Sequence, residues 1–122
     1  MQPSQKTILF VLQRSPYGST ATQETLDAAL AAAAFEQNVQ LLFSGDGVWS
    51  LLPDQHSELI DRKNIEKLLH ALEYYNIHSV YVDQQSLDER QLTAQQLSIT
   101  VTPLQAEQIP AIFQHADCVV AL

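Results

Sequence analysis

The sequence predicts a single α/β domain over residues 1–122, three layers deep (α/β/α), around a mostly parallel five-stranded sheet. Three observations predict it. Strand-length apolar runs alternate with segments of helical periodicity along the whole chain, as in sheets built from strand–helix–strand units. The first run, residues 7–12, is apolar at every position after Thr7, the pattern of a strand buried on both faces. The chain has 122 residues, 46% of them hydrophobic, with no linker, repeat or low-complexity tract, which is enough for one core and too little for two.

Residues 7–12 are the first strand, and Arg14-Ser-Pro-Tyr-Gly18 after it is a loop by composition. Thr20 and Gln23 have capping-box spacing, so a helix is expected from there to about Phe35. Its many alanines cost little in a helix and let backbones approach. That fits a helix pressed on the sheet, with a further contact to a partner chain as the sharper alternative. Residues 39–43 form the second strand, broken by Ser44-Gly-Asp-Gly47. Val48, Trp49, Leu51 and Leu52 then crowd four large apolar groups ahead of Pro53-Asp54. Such a segment must be covered, either as a lid on the core or as a subunit interface. Ile65, Leu68, Leu69 and Leu72 keep the spacing of an amphipathic helix over 64–75. Residues 79–82 are the third strand, 86–90 a short helix and 97–101 a fourth strand. Thr102-Pro-Leu-Gln105 has capping-box spacing with proline at the first helical position. Pro110 interrupts that segment, and 118–122 close the sheet. Residues 1–5 are expected to be disordered.

Charge and composition exclude several functions. Fourteen acidic residues against six basic give a net charge of −8, which opposes binding to phosphate backbones. The one basic cluster, Arg62, Lys63 and Lys67, reads as a solvated helix face. A single cysteine rules out an internal disulfide and a Cys-rich zinc site. The histidines at 56, 70, 78 and 115 lack metal-ligand spacing, and no glycine-rich phosphate loop occurs. No metal or cofactor is expected. The longest apolar run, near 28–34, is far short of the roughly 20 residues of a membrane helix. No signal-peptide pattern opens the chain, so a soluble cytoplasmic protein is expected.

In open α/β sheets, function sits beyond the carboxyl ends of the strands. Those positions are 13–18, 44–47, 83–86 and Thr102. Asp83 is the most suggestive acid. A phospho-receiver site would need an acidic pair after the first strand, where Gln13 and Arg14 stand, and a lysine after the fifth; both are missing. Cys118, opening an apolar strand after Asp117, reads as a small buried hydrophobe, with His115 close in sequence. His56, His70 and His78 read as surface or structurally satisfied histidines. Ser15, Ser44 and Ser86 lack the context of an activated nucleophile. The residues therefore supply a fold and no catalytic constellation, which suggests an interaction or scaffold subunit.

Together, Arg14-Ser-Pro-Tyr-Gly-Ser-Thr-Ala21, Gly45-Asp-Gly-Val-Trp-Ser-Leu-Leu-Pro53, Ser86-Leu-Asp-Glu-Arg90 and Val101-Thr-Pro-Leu104 resemble the DsrE/DsrF family, in its branch of TusC (DsrF-like) sulfur-relay subunits. The resemblance runs from about Lys6 to Leu122. It implies a subunit of a heterohexamer with TusB-like and TusD-like chains. That complex takes persulfide sulfur from a TusA-like carrier and hands it to a TusE-like acceptor, toward 2-thiouridine at the tRNA wobble position. It further implies that the persulfide cysteine belongs to the TusD-like chain, at the end of its third strand, where this chain has Asp83. A carboxylate cannot hold sulfane sulfur. The expectation is a non-catalytic structural subunit that touches no nucleic acid itself, with Val48, Trp49, Leu51 and Leu52 at or near a chain–chain contact. The alternatives are a DsrF subunit of a sulfur-oxidation complex, or a stand-alone homo-oligomer that binds a small molecule or transfers sulfur.

Overall fold

The structure, a computed structural model, describes residues 5–16, 20–53 and 62–121, without the side chains of 62–64. Residues 1–4, His56 with Asp54 and Glu58, and the Arg62 and Lys63 side chains lie outside that description. Strands β1 (Thr7–Leu12), β2 (Asn38–Phe43), β3 (Ser79–Asp83), β4 (Thr102–Leu104) and β5 (Cys118–Ala121) form one sheet in the order β4-β3-β2-β1-β5. Every pairing is parallel, as the alternation of strand and helix patterns predicts. Parallel neighbours need crossover connections. Helices α1 (Ala21–Ala34) and α2 (Arg62–Tyr74) lie in the connections from β1 to β2 and from β2 to β3. Helix α3 (Gln84–Glu89) follows β3 directly, and α4 (Ile109–His115) precedes β5. A 3-10 segment, Gly45–Leu51, follows β2.

The central strand β1 shows why the first apolar run is continuous. Phe10 and Leu12 enter the larger core with Leu26 and Ala29 of α1, Leu69 and Leu72 of α2, and Val48 and Leu51 of the 3-10 segment. Leu9 and Val11 point to the other face, where Leu42 and Leu104 meet Ile109 and Ile112 of α4. A strand covered on both faces has no polar side to show. In α1, Leu26 and Ala29 are fully buried while Ala28, Ala31 and Ala34 face outward, so the helix presses on the sheet along a narrow stripe.

Three expectations are corrected. Residues 97–101 are not a strand. Leu97, Ile99 and Val101 pack against the larger core from beside α2, and β4 begins only at Thr102. Proline 103 therefore sits inside a strand, which an edge position allows because one side of the strand has no ladder to lose. The capping box expected at Thr102 forms three residues later, where the Gln105 backbone N–H donates to Gln108 Oε1 at 2.7 Å. At the start of α1, Thr20 is the capping residue, but its hydroxyl donates to Glu24 Oε1 at 2.7 Å instead of engaging Gln23.

Helices α1, α2 and α3 end alike. Glu36, Asn76 and Gln91 have φ of 64°, 61° and 56°. Each is followed by a residue whose N–H returns five positions, to Ala32, Leu72 and Leu87 respectively, as in a Schellman ending. This is a glycine conformation occupied by side chains, at a cost of about 1–2 kcal/mol for most residues and less for asparagine. Glycine regains that cost but loses more entropy on folding. Glu36→Gly and Gln91→Gly should each stabilise the chain by about 0.5–1 kcal/mol, and Asn76→Gly by less. Urea unfolding followed by circular dichroism checks the ranking.

Candidate functional site

The carboxyl ends of β1, β2 and β3 lie side by side at one pole, and Asp83 ends β3 there. It is the last residue of β3 and the N-cap of α3, with its carboxylate half-buried. Ser86, three residues on, is 4% exposed. Its Oγ–H donates to Asp83 Oδ2 at 2.7 Å, and Ser86 Oγ itself accepts the Gly45 N–H at 2.8 Å. Thus one hydroxyl ties the end of β3 to the turn that follows β2. Arg90, capping the carboxyl end of α3, adds a second tie. Its Nη1 donates to the Ser86 carbonyl at 3.1 Å, and its Nη2 donates to Asp46 Oδ1 at 2.9 Å. A cation at that helix end also suits the helix dipole.

Chemically this cluster is a fastening. Ser86 Oγ is buried and engaged as both donor and acceptor, so it is not poised as a nucleophile. Asp46 is 59% exposed, and its ion pair with Arg90 contributes under about 1 kcal/mol. The stabilisation resides in the buried hydroxyl. Ser86→Ala leaves the Gly45 N–H and one Asp83 lone pair without that partner and should cost about 1–3 kcal/mol. Asp83→Asn keeps an acceptor for the hydroxyl and should cost less. Paired urea titrations of the two variants check the order.

Sequence reasoning placed Asp83 in this pole but missed the roles of Ser86 and Arg90. The available signal was the three-residue spacing from a strand-terminal aspartate to a serine at the start of a short helix. Thr102, expected at a carboxyl end, instead opens β4, so the pole holds Leu104 and Gln105 at that place. Of the apolar cluster after β2, Val48, Leu51 and Leu52 are buried in the fold, and only Trp49 keeps part of its surface open to solvent.

Cys118 is exposed, contrary to the expectation of a buried thiol. Its strand is at the sheet edge, and among the described residues β1 is its one strand neighbour, so no described strand pairs along its outer flank. It pairs with Ile8, near the start of β1, whereas Asp83 lies just past the level of Leu12 and Phe43. At about 3.3 Å per residue and 4.8 Å per strand, the two lie roughly 20 Å apart, toward opposite ends of the sheet. His115, on the last turn of α4, is exposed and makes no hydrogen bond to Cys118. Among the described residues, no group of three or more His, Cys, Asp or Glu side chains is placed to hold a metal ion. No described helix is long and apolar enough to cross a membrane.

The DsrE/DsrF-like family model matches residues 6–122, nearly the whole chain. The chain belongs to the DsrE/DsrF-like family. Among its relatives, a TusC homolog of Pseudomonas aeruginosa is 32% identical over 117 residues, covering 96% of this chain and 98% of that protein. A TusC homolog of Vibrio parahaemolyticus is 37% identical over 113 residues, covering 93% and 94%. The intracellular sulfur oxidation protein DsrF of Allochromatium vinosum is 36% identical over 92 residues, covering 75% and 68%. The crystal structure of the ychN protein from E. coli superposes with a TM-score of 0.81 over 98% of this chain and all of that one, at 24% identity. That likeness shows that the fold of this DsrE/DsrF-like chain, with helices on both faces of a parallel sheet, is one already seen in a solved structure.

Proposed function

We propose that this chain is a non-catalytic subunit of a sulfur-relay complex, assembling with TusB-like and TusD-like chains in the cytoplasm. The complex would pass persulfide sulfur from a TusA-like carrier to a TusE-like acceptor, toward 2-thiouridine at the tRNA wobble position. Family membership and the TusC homologs support the relay. The observation that carries the non-catalytic role is Asp83, a carboxylate at the end of β3, where the resemblance places the partner's persulfide cysteine. Relay chemistry passes a terminal sulfur between thiolates, and a carboxylate oxygen offers it no S–S bond. Cys118 is exposed but roughly 20 Å from that position, so it lies off the route. Asp83 instead accepts the Ser86 hydroxyl that ties α3 to the turn after β2, and so helps shape the pole that would face a partner.

The test uses cells whose only copy of the chain is a variant, with 2-thiouridine measured in their tRNA. Asp83→Asn and Cys118→Ser should each leave thiolation near wild type, while deletion of the chain abolishes it. Loss of thiolation in either variant, with the complex still assembled, overturns the non-catalytic reading. The similarity to DsrF supports a second reading, a subunit of a sulfur-oxidation complex. Deletion that spares thiolation but blocks growth on reduced sulfur would favour it.

A further inference from the structure

The two faces of the sheet are covered unequally. On one face, α1, α2, α3 and the 3-10 segment after β2 all bring side chains to the larger core. On the other, among the described residues, the apolar side chains that pack onto the sheet from outside it are Ile109, Ile112 and Ala116, from α4 and its cap. Helix α4 has seven residues, about 10 Å of helix. It lies on a sheet of five strands that spans roughly 19 Å. The cover is therefore incomplete. Val119 pairs with Leu9, so its side chain shares the face on which Leu9 is buried, yet it is 44% exposed. Ala121, two residues on, is exposed on the same face. On α4 itself, Phe113 is 38% exposed.

Charge follows the same division. Over residues 91–122 the sequence has two charged side chains, Glu107 and Asp117. That stretch supplies α4 and both edge strands, β4 and β5. Asp117 is already engaged, since its carboxylate accepts the Thr7 N–H at 2.8 Å. Asp83 closes the carboxyl end of this face, half-buried and held by Ser86. The exposed acids Glu24, Asp27, Glu73, Asp88 and Glu89 stand instead on α1, α2 and α3, across the sheet. A chain of net charge −8 thus keeps one face nearly free of charge.

We propose that the α4 face is a contact between two copies of this chain, related by a two-fold axis that sets α4 and β5 of one against those of the other. Two chains of net charge −8 repel, and the approach least opposed is through the faces that carry least charge. A strongly charged partner finds little to pair with there. The same face of a second copy matches it both in apolar character and in lack of charge. Interface cores are likewise depleted of charge and enriched in aromatic residues such as Phe113. The two-fold arrangement covers both copies alike and turns the acids of α1, α2 and α3 outward. The face is small, and small interfaces are transient, so a Kd of about 10–100 µM is expected. Trp49 belongs to the segment that packs on the opposite face, so this contact stands or falls without the sulfur-relay reading.

The test is sedimentation velocity of the full chain from about 5 to 500 µM, a range that brackets the expected Kd. The wild-type chain should pass from monomer to dimer. Ala111, exposed on α4, and Ala28, exposed on α1, accept the same change of charge without loss of packing. Ala111→Glu sets like charges against each other across the axis and should raise the dimer Kd more than tenfold. Ala28→Glu should leave it unchanged, and both variants should keep the wild-type circular dichroism spectrum. On dilution of isotope-labelled chain, amide shifts should move within residues 109–121. A chain that stays monomeric throughout overturns the assignment, as does a dimer that tolerates Ala111→Glu or loses as much with Ala28→Glu. Shifts that map to α1 or α2 also overturn it. So does a monomeric chain whose 109–121 amides become protected only when a TusB-like or TusD-like chain is added, since the face then has a different occupant.

Discussion

Replacing Gly47 by alanine should leave the chain largely unfolded, while the same change at Gly45, two residues earlier, should leave it folded. A Cβ on Gly47 would stand 1.8 Å from the Leu12 carbonyl oxygen, 2.5 Å from its carbon and 3.1 Å from the Gln13 nitrogen. All three are backbone atoms at the end of the central strand, so no side chain can swing aside. The same Leu12 oxygen accepts the Ser44 N–H at 3.0 Å, which holds the turn after β2 onto β1. Relief requires the 3-10 segment to lift away, drawing Val48 and Leu51, both fully buried, out of the core. Overpacking and lost burial together should exceed about 4 kcal/mol, which few single substitutions do. That approaches the whole stability of a marginal domain, commonly about 5–15 kcal/mol. At Gly45 the nearest atom to an added Cβ is the Gln13 oxygen at 3.7 Å, an ordinary contact. Its φ of +53° makes alanine strained there, at about 1–2 kcal/mol. Soluble yield and urea midpoints of the two variants test the contrast. Equal losses would mean that glycine's flexibility matters here and the close approach does not.

How much of this was legible in the sequence depends on whether the cause was local. The β1 run was legible because burial on both faces leaves a continuous apolar signature over 7–12. The amphipathic spacing of Ile65, Leu68, Leu69 and Leu72 marked α2 for the same reason, since a one-sided environment writes itself into periodicity. Residues 97–101 misled because alternating Leu97, Ile99 and Val101 have strand periodicity, yet that apolar side packs beside α2 instead of joining the ladder. Pro103 misled in the opposite direction: its missing N–H argues against a strand unless the strand is at an edge, and strand order is a tertiary fact. Strand order also decided Cys118. An apolar pentapeptide beginning at a cysteine looks buried, but β5 is the outer strand and its flank is open. At the candidate site, Asp83 was found from its place after an apolar strand. Its partner Ser86 and the Gly45 N–H come together only when β2 and β3 pair, 41 residues apart in sequence.

The last expected result separates folding from assembly in the apolar segment after β2. Leu51 is fully buried in the larger core, against residues from both helices and the sheet. Leu51→Ala removes its side chain and leaves a cavity, which should cost about 2–5 kcal/mol. Assembly should fall only as far as the folded population falls. Trp49 lies two residues away and is partly buried, with some of its surface open to solvent. Its truncation loses only the packed part of the ring, so Trp49→Ala should lower stability by about 1–2 kcal/mol. Aromatic side chains placed in this way are the usual anchors of interfaces, where truncation costs 2 kcal/mol or more of binding. If the sulfur-relay reading holds, Trp49→Ala should reduce co-purification with TusB-like and TusD-like chains more than thirtyfold, with its circular dichroism spectrum unchanged. Chemical denaturation of each isolated variant, beside size exclusion of the co-expressed chains, gives both numbers. A Trp49→Ala chain that assembles as wild type would remove this segment from the interface and leave it wholly to the core. The reverse pattern, with Leu51→Ala stable but unassembled, would mean that the 3-10 segment rearranges when a partner binds.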